Sequence, residues 1–263
     1  QKAGSGGGNA SVDHLISSID IHPGTDLVNY DFCAVPPSSL SGFVYVDHNQ
    51  NCIREENEPP IAGVTITLLN SSGTVVATTT TDASGQYSFT GLRAGNYTVS
   101  QTQPAGYLQG GQRAGSGGGN ASVQDVISAI LIGAGDQLVD YNFCELLPGS
   151  ISGTVFSDRN LDCVHDPDEP GLAGVQVDLV DATGNVVAIT HTDSNGNYHF
   201  GNLHPGKYSV REHQPQGYFQ GGQIAPSTGG DASITDWISG ISVGSGQNIV
   251  EANFCEIEPG RIS

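Results

Sequence analysis

A period of 111 residues runs through the whole chain and limits what it can fold into. The motifs "NYDFC", "DYNFC" and "EANFC" end at Cys33, Cys144 and Cys255, and the two other cysteines, Cys52 and Cys163, keep the same spacing. The stretch "QKAGSGGGNASV" also returns one period later as "QRAGSGGGNASV". A unit of about 110 residues is longer than a solenoid repeat and has the size of an independent domain. The sequence therefore predicts separate domains in tandem.

The boundaries of the predicted domains follow from proline-containing linkers. The linkers "AVPPSS" and "ELLPGS" precede the strand-like segments "LSGFVYV" and "ISGTVF", and linkers of this composition mark domain boundaries. We expect complete domains at residues 38–144 and 149–255. Residues 1–33 are expected to be the C-terminal part of an incomplete domain, and residues 256–263 the start of another. The chain would then be a window onto a longer array.

The pattern within each unit is that of a β protein. Segments rich in Val, Ile, Thr and Tyr alternate with turn signals such as "DATGN", "DSNGN", "HPGK" and "GSGQ". The segments "VQVDLV" and "YSVRE" alternate with period two, as half-buried strands do. Seven candidate strands in the second unit predict an all-β fold of sandwich domains. For the tract "VQDVISAI" the pattern leaves a strand and a short helix open.

An acidic segment after the first strand of each unit has the spacing of a calcium loop. Oxygen-bearing side chains fall at positions 1, 3, 5, 9 and 12, and calcium accepts six to eight oxygen ligands in irregular geometry. The predicted ligands are Asp158, Asn160, Asp162, Asp166, Glu169 and the Val164 carbonyl in the second unit, and Asp47, Asn49, Asn51, Glu55, Glu58 and the Ile53 carbonyl in the first. The first loop has three carboxylates against four in the second, so weaker binding is expected there. A solvated acidic hairpin without metal is the alternative.

The charge balance agrees with a cation-binding extracellular protein. Eight basic residues stand against 27 acidic ones, for a formal net charge of −19. Such a chain is repelled by nucleic acids and by anionic membrane surfaces, so neither is expected as a partner. Membrane insertion is not expected either, since no apolar run approaches the roughly 20 residues that span a bilayer.

Five cysteines repeated with a fixed period in an acidic chain predict disulfides in an oxidising compartment. Cys52 could pair with Cys33 or with Cys144. An extended first strand of about eight residues, roughly 26 Å long, separates Cys33 from Cys52, whereas the last strand of a rod-like domain ends at the same pole as Cys52. Since a disulfide needs Cα atoms within roughly 7 Å, we predict the pairs Cys52–Cys144 and Cys163–Cys255. Cys33 is left with a partner outside the complete units.

The ordered motifs resemble a known family. The string "SGTVFSDRNLDCVHDPDEPGLAGVQVDLVDATG", followed by "TDSNGNYHFGNLHPGKYSV", is similar to the B-type domains of serine-aspartate repeat adhesins and, more distantly, to collagen-adhesin B domains. The resemblance implies tandem Ig-like or prealbumin-like sandwiches in a rod, with calcium in the acidic loop. The chain departs from the family pattern because it has a cysteine at position 6 of each acidic loop. Only two lysines, Lys2 and Lys207, are present and neither lies on a first strand, so we expect no lysine–asparagine isopeptide bond.

The function expected from these features is structural. We predict a non-catalytic module of a secreted or cell-surface stalk or extracellular filament, with neighbouring repeats of the same protein as its partners in a homopolymer or long array. No Ser/His/Asp set that recurs with the repeat indicates an enzyme. Asp82 and Asp193, in "TDxxGxY" turns, are interpreted as turn formers and not as ligands. The alternative is an adhesin module that binds a matrix protein or a glycan, because sandwich loops often carry binding sites.

Overall fold

A computed structural model describes residues 1–12 and 15–260 of the chain. In these ranges the protein is built from strands, and no helix there is long and apolar enough to cross a membrane. The N-terminal segment forms the short hairpin of β1 (Asn9–Val12) and β2 (Leu15–Ser17). Two copies of one β-sandwich follow it, as the repeat predicts.

The two sandwiches have the same ten strands in the same order. The first has β3 (Ser38–Val46), β4 (Thr65–Asn70), β5 (Val75–Thr80), β6 (Gln86–Leu92), β7 (Gly95–Gln101), β8 (Leu108–Arg113), β9 (Asn120–Val123), β10 (Val126–Ile132), β11 (Gln137–Leu138) and β12 (Asn142–Leu146). The second has β13 (Gly149–Ser157), β14 (Gln176–Asp181), β15 (Val186–His191), β16 (Asn197–Leu203), β17 (Gly206–Glu212), β18 (Phe219–Ile224), β19 (Asp231–Ile234), β20 (Trp237–Val243), β21 (Asn248–Ile249) and β22 (Asn253–Ile257).

Each domain consists of two five-stranded sheets. In the first domain one sheet has the order β5-β4-β7-β10-β9, and the other is built around the first strand, β3. On one edge β3 pairs antiparallel with β6; on the other it runs parallel to β11 and then to β12. The last strand thus runs alongside the first and finishes at the same end of the domain. That arrangement brings the end of β12 to the loop that follows β3.

A glycine in the first strand permits the switch from β11 to β12. A Cβ atom added at Gly42 would lie 1.8 Å from the carbonyl oxygen of Tyr141, and one at Gly153 equally close to that of Ala252. Only glycine allows the two backbones to approach this closely. The phenol of buried Tyr87 donates a hydrogen bond to the same Tyr141 carbonyl (2.6 Å) and so ties β6 to this point.

The core of each domain lies between its sheets and follows the period-two pattern of the strands. In β3, Leu40 and Val44 are fully buried, and Ile151 and Val155 are their counterparts in β13. The tract "VQDVISAI", for which a strand and a short helix were open, is not a helix: it contains the turn between β9 and β10 and the first part of β10, which pairs with both β7 and β9. The sequence predicts seven strands for the second unit. It misses β18 and β19, and its last predicted strand is divided into β21 and β22.

Residues 1–33 repeat the end of a domain but expose its apolar positions. Ile21 and Phe32 are 75% and 60% exposed, whereas their counterparts one period later, Ile132 and Phe143, are 1% and 0% exposed. The division of the chain into an incomplete unit, two complete units and a further start at 256–263 stays a prediction. Residues 261–263 of that last segment lie outside the described residues.

Candidate metal centre

The two acidic loops, residues 47–58 and 158–169, leave the first strands at the end of the domain where the last strands finish. The backbone N–H of Asp47 donates to the carbonyl of Glu145 in β12 (2.7 Å), and that of Asp158 donates to Glu256 in β22 (2.8 Å). Both aspartates are almost fully buried. The first residue of each predicted loop is therefore anchored on the last strand of its own domain.

The first and twelfth positions of the second loop hold its backbone in shape. The carboxylate of Asp158 accepts the N–H groups of Leu161 (2.6 Å) and Cys163 (2.8 Å). The carboxylate of Glu169, which is 5% exposed, accepts those of Arg159 (2.7 Å) and Asp166 (3.1 Å). Charge-assisted bonds of this kind stabilise an ionised carboxylate. The loop is thus folded around two acidic side chains.

In the middle of the second loop, a side-chain amide forms hydrogen bonds with two carboxylates. The Nδ2 of Asn160 donates to the carboxylates of Asp162 and Asp166, both at 3.1 Å. Asp162 also accepts the N–H of Val164 (2.8 Å), the residue whose carbonyl is the predicted position-7 ligand. All three side chains at positions 3, 5 and 9 therefore face one another at the surface of the loop.

The first loop has the same framework with fewer charges. Asp47 accepts the N–H groups of Gln50 and Cys52, and Glu58 accepts those of His48 and Glu55. The amides of Asn49 and Asn51 both donate to the carboxylate of Glu55, and the N–H of Ile53 donates to Asn51. Burial raises the pKa of Glu58, and hydrogen bonds from the backbone partly offset this.

The loops fit calcium by donor type and by backbone conformation. Every predicted side-chain ligand carries oxygen, the donor that calcium prefers. Calcium loops place glycine at position 6 because the turn there is sharp; Cys52 (φ 51°) and Cys163 (φ 57°) adopt this left-handed conformation at that position. Within the described residues, however, no three carboxylates of one loop lie within 4.8 Å of one another. The group of three that includes a loop carboxylate joins Asp158 to the sulfurs of Cys163 and Cys255, which are bonded to each other.

The disulfides are those that the sequence predicts. Cys52 is bonded to Cys144 and Cys163 to Cys255, with Cα atoms 5.5 and 5.4 Å apart, and each bond joins residues 92 positions apart. Cys33 is exposed and carries a free thiol. The alternative pair Cys33–Cys52 is therefore absent. Each acidic loop is covalently attached to the last strand from its sixth position.

The end of the first domain continues directly into the second. Only Leu147 and Pro148 separate β12 from β13. Leu147 packs against the core of the first domain, and its backbone bonds to the second: its N–H donates to the Ser245 hydroxyl (3.0 Å) and its carbonyl accepts the N–H of Gly246 (2.9 Å). Leu147 belongs to no predicted site, and its position in the proline-containing linker is the one sequence feature that could have indicated a role at the joint.

Two further acidic features lie outside the loops. Asp82 accepts the N–H groups of Ser84 and Gln86, and Asp193 those of Asn195 and Asn197, so the interpretation of both as turn formers is confirmed. The hydroxyl of Ser84, followed by the backbone N–H groups, lowers the pKa of the Asp82 carboxyl, and the N–H groups of Asn197 and Asn195 lower that of Asp193.

The second feature is a buried cluster of Glu212, Asp236 and Glu256. No local pattern predicts this cluster, because its three residues are far apart in the chain. Aligning the repeats gives one signal, a glutamate at position 212 where the first unit has Gln101.

Comparison with known proteins assigns the family. The model of the SdrD B-like domain matches residues 38–146 and 149–247. The chain is 37% identical over 185 residues to serine-aspartate repeat-containing protein F of Staphylococcus epidermidis, covering 70% of this chain and 11% of that protein. It is 36% identical over 215 residues to the bone sialoprotein-binding protein of Staphylococcus aureus, covering 78% and 18%. The chain thus spans less than a fifth of the length of these relatives.

The chain also aligns with solved structures of pilins. The minor pilin GBS52 of Streptococcus agalactiae aligns with 86% of this chain and 98% of its own, at 15% identity and a TM-score of 0.36. A score this low carries no argument about the arrangement of the domains. The match of the family model to both complete units, together with the relatives above, is sufficient for the assignment: the chain belongs to the SdrD B-like domain family.

Proposed function

We propose that this chain is a non-catalytic structural segment of a secreted or cell-surface stalk or filament, stiffened by calcium and by disulfides. The observation that carries the proposal is the connection of the acidic loop to the joint. The Cys52–Cys144 disulfide and the bond from Asp47 to Glu145 fix the loop to β12, and Leu147 joins β12 to the second domain one residue after β12 ends.

Calcium would act on this arrangement by replacing weak contacts within the loop. In the second loop the amide of Asn160 lies between the carboxylates of Asp162 and Asp166. A divalent ion there would substitute two full positive charges for the partial charge of one amide, and would draw the carboxylates closer than they lie without it. Because Asp158 and Glu169 already shape the backbone, the loop would change little on binding.

The same features support an extracellular location and a repeated partner. Disulfides persist in oxidising compartments outside the cytoplasm, and two are present here. The natural partners would be neighbouring repeats of the same protein, since the acidic loop and the two cysteines that fix it to the last strand recur in the repeat.

One relative, the bone sialoprotein-binding protein, favours a second candidate function by its name. On that reading the domains would themselves bind a matrix protein or a glycan. Measuring the binding of matrix proteins and glycans to the immobilised chain distinguishes the two functions. The structural proposal expects no saturable binding.

Calcium affinity should differ between the two loops. We expect the second loop to bind calcium at least several-fold more tightly than the first, because it offers four carboxylates where the first offers three. The measurement is calorimetric titration of the whole chain with either loop silenced: Asp47→Asn with Glu58→Gln in one protein, and Asp158→Asn with Glu169→Gln in the other. Equal heats and affinities in both proteins would contradict the ligand assignment, and an absence of binding in the intact chain would remove calcium from the proposal.

A further inference from the structure

A cluster of three carboxylates lies inside the second domain, away from the acidic loop. Glu212 ends β17, Asp236 lies in the turn between β19 and β20, and Glu256 belongs to β22 in the opposite sheet. One oxygen of each lies within 4.8 Å of the others. Glu212 and Glu256 are 2% and 0% exposed, and Asp236 is half-buried. The cluster therefore joins the two sheets, and Asp236 is the one of its three residues that is partly exposed.

The oxygens of this cluster are short of partners. Both carboxylate oxygens of Glu212, the Oδ1 of Asp236 and the Oε1 of Glu256 are buried and accept no hydrogen bond from the described residues. The remaining oxygen of Glu256 accepts a bond from the amide of Gln214. Buried acceptors without partners are costly, and buried charges are normally paired or bound to a metal. The fully buried Glu212 side chain thus points to a missing positive charge.

In the first domain a side-chain amide supplies the hydrogen-bond donor that the cluster of the second domain lacks. The counterparts of the cluster are Gln101, Asp125 and Glu145. The Nε2 of Gln101 donates to the Oδ1 of Asp125 (2.8 Å) and to the Oε1 of Glu145. These are the same two atoms that have no partner in the second domain. One substitution in the repeat, the carboxylate of Glu212 in place of the amide of Gln101, therefore removes the donor and adds a third acidic group.

Two things could compensate for that change, protons or a cation. A proton shared between Glu212 and Glu256 would satisfy one oxygen of each and leave the second oxygen of Glu212 and the Oδ1 of Asp236 without partners. A hard divalent cation accepts several carboxylate oxygens at once, in one- or two-oxygen contacts. Burial raises the pKa of both Glu212 and Glu256. The charges of Glu256 and Asp236 raise the pKa of Glu212 further, whereas the amide of Gln214 partly offsets the shift at Glu256. Three negative charges are thus strongly disfavoured there unless a positive charge joins them.

We propose that Glu212, Asp236 and Glu256 form a binding site for a hard divalent cation, with calcium as the ion to test, between the two sheets of the second domain. The site is separate from the acidic loop and does not depend on the loop binding metal. The first domain lacks it because Gln101 takes the place of the third carboxylate. The ion would fasten the end of β17 to β22, the strand that also carries Cys255.

The repeat supplies a matched pair of variants for the test. Glu212→Gln gives the second domain the side chain that the first domain uses in this position, so the fold should be retained, and Gln101→Glu makes the reverse change. Bound calcium per chain is counted by equilibrium dialysis with atomic absorption, and circular dichroism checks the fold of each protein. We expect E212Q to bind one calcium ion fewer than the unchanged chain, and Q101E one more.

Terbium luminescence gives a second readout that is local to the site. Trp237 is the sole tryptophan, follows Asp236 directly and pairs with Arg211 across β17 and β20. Excitation of its indole should sensitise terbium bound at the cluster. The sensitised emission should fall by most of its amplitude in E212Q and persist when the second loop is silenced by D158N and E169Q. Equal calcium counts in the unchanged chain and E212Q would overturn the proposal and identify the cluster as protonated. If the loops fail to bind but E212Q still lowers the count by one, the loop proposal falls and this one stands.

Discussion

Replacing Cys163 and Cys255 together by serine is expected to lower the free energy of unfolding of the second domain by about 2–5 kcal/mol. The disulfide joins residues 92 positions apart, and in the chain-entropy model closing a loop of that length restricts the unfolded state by up to about 4–5 kcal/mol. Denaturant unfolding followed by fluorescence measures the effect domain by domain. Trp237, in β20, is the sole tryptophan and reports the second domain alone.

Two controls make this result specific. Cys33→Ser removes an exposed free thiol and should leave both domains unchanged. Cys52→Ser with Cys144→Ser should lower the stability of the first domain, seen by circular dichroism, while the Trp237 transition moves little. If the Trp237 transition has the same midpoint with and without Cys163 and Cys255, the disulfide is not a stabilising element of the domain.

Calcium at about one hundred times the dissociation constant of the second loop is expected to raise the free energy of unfolding of that domain by about 2.7 kcal/mol. The reason is linkage: an ion that binds the folded loop and not the unfolded chain stabilises the folded state by mass action. The measurement compares the Trp237 unfolding transition in excess chelator and in calcium.

The loop variant D158N with E169Q isolates the contribution of the loop. Its stability in chelator accounts for any effect on the backbone bonds that Asp158 and Glu169 accept. Only the additional gain in calcium is attributed to the ion. Asp193→Asn, an acidic residue of a turn outside the loop, serves as the charge control and should respond to calcium as the unchanged chain does. A loop variant that gains as much from calcium as the unchanged chain would contradict the assignment of the ligands.

The parts of this structure that could be predicted are those encoded in contiguous or periodic residues. The acidic loops follow from spacing within twelve positions. The disulfides follow from a fixed period combined with the length of the first strand, which places Cys52 and Cys144 at one end of the domain. Most of the seven predicted strands are rich in β-branched or aromatic residues between turn signals, and two of them, "VQVDLV" and "YSVRE", alternate with the period of two that is typical of half-buried strands.

The parts that were missed depend on contacts between distant residues. The strand β18 contains Gly221 and Gly222, which normally weaken a strand, but a Cβ at Gly221 would lie 2.6 Å from the carbonyl oxygen of Cys255. Glycine is therefore required by the close approach of β22, which the local sequence does not contain. The cluster of Glu212, Asp236 and Glu256 was missed for the same reason, since the fold alone brings these residues together.

We propose that calcium and disulfides stiffen the joint between neighbouring domains. Small-angle X-ray scattering of the whole chain, carrying Cys33→Ser to prevent bonding between chains, tests it most directly. We expect a long, narrow distribution of interatomic distances in calcium under oxidising conditions. A shorter maximum dimension and a broader distribution are expected after chelation and thiol reduction, under conditions where circular dichroism shows that the domains remain folded. Scattering curves that superimpose in the two conditions would contradict the account.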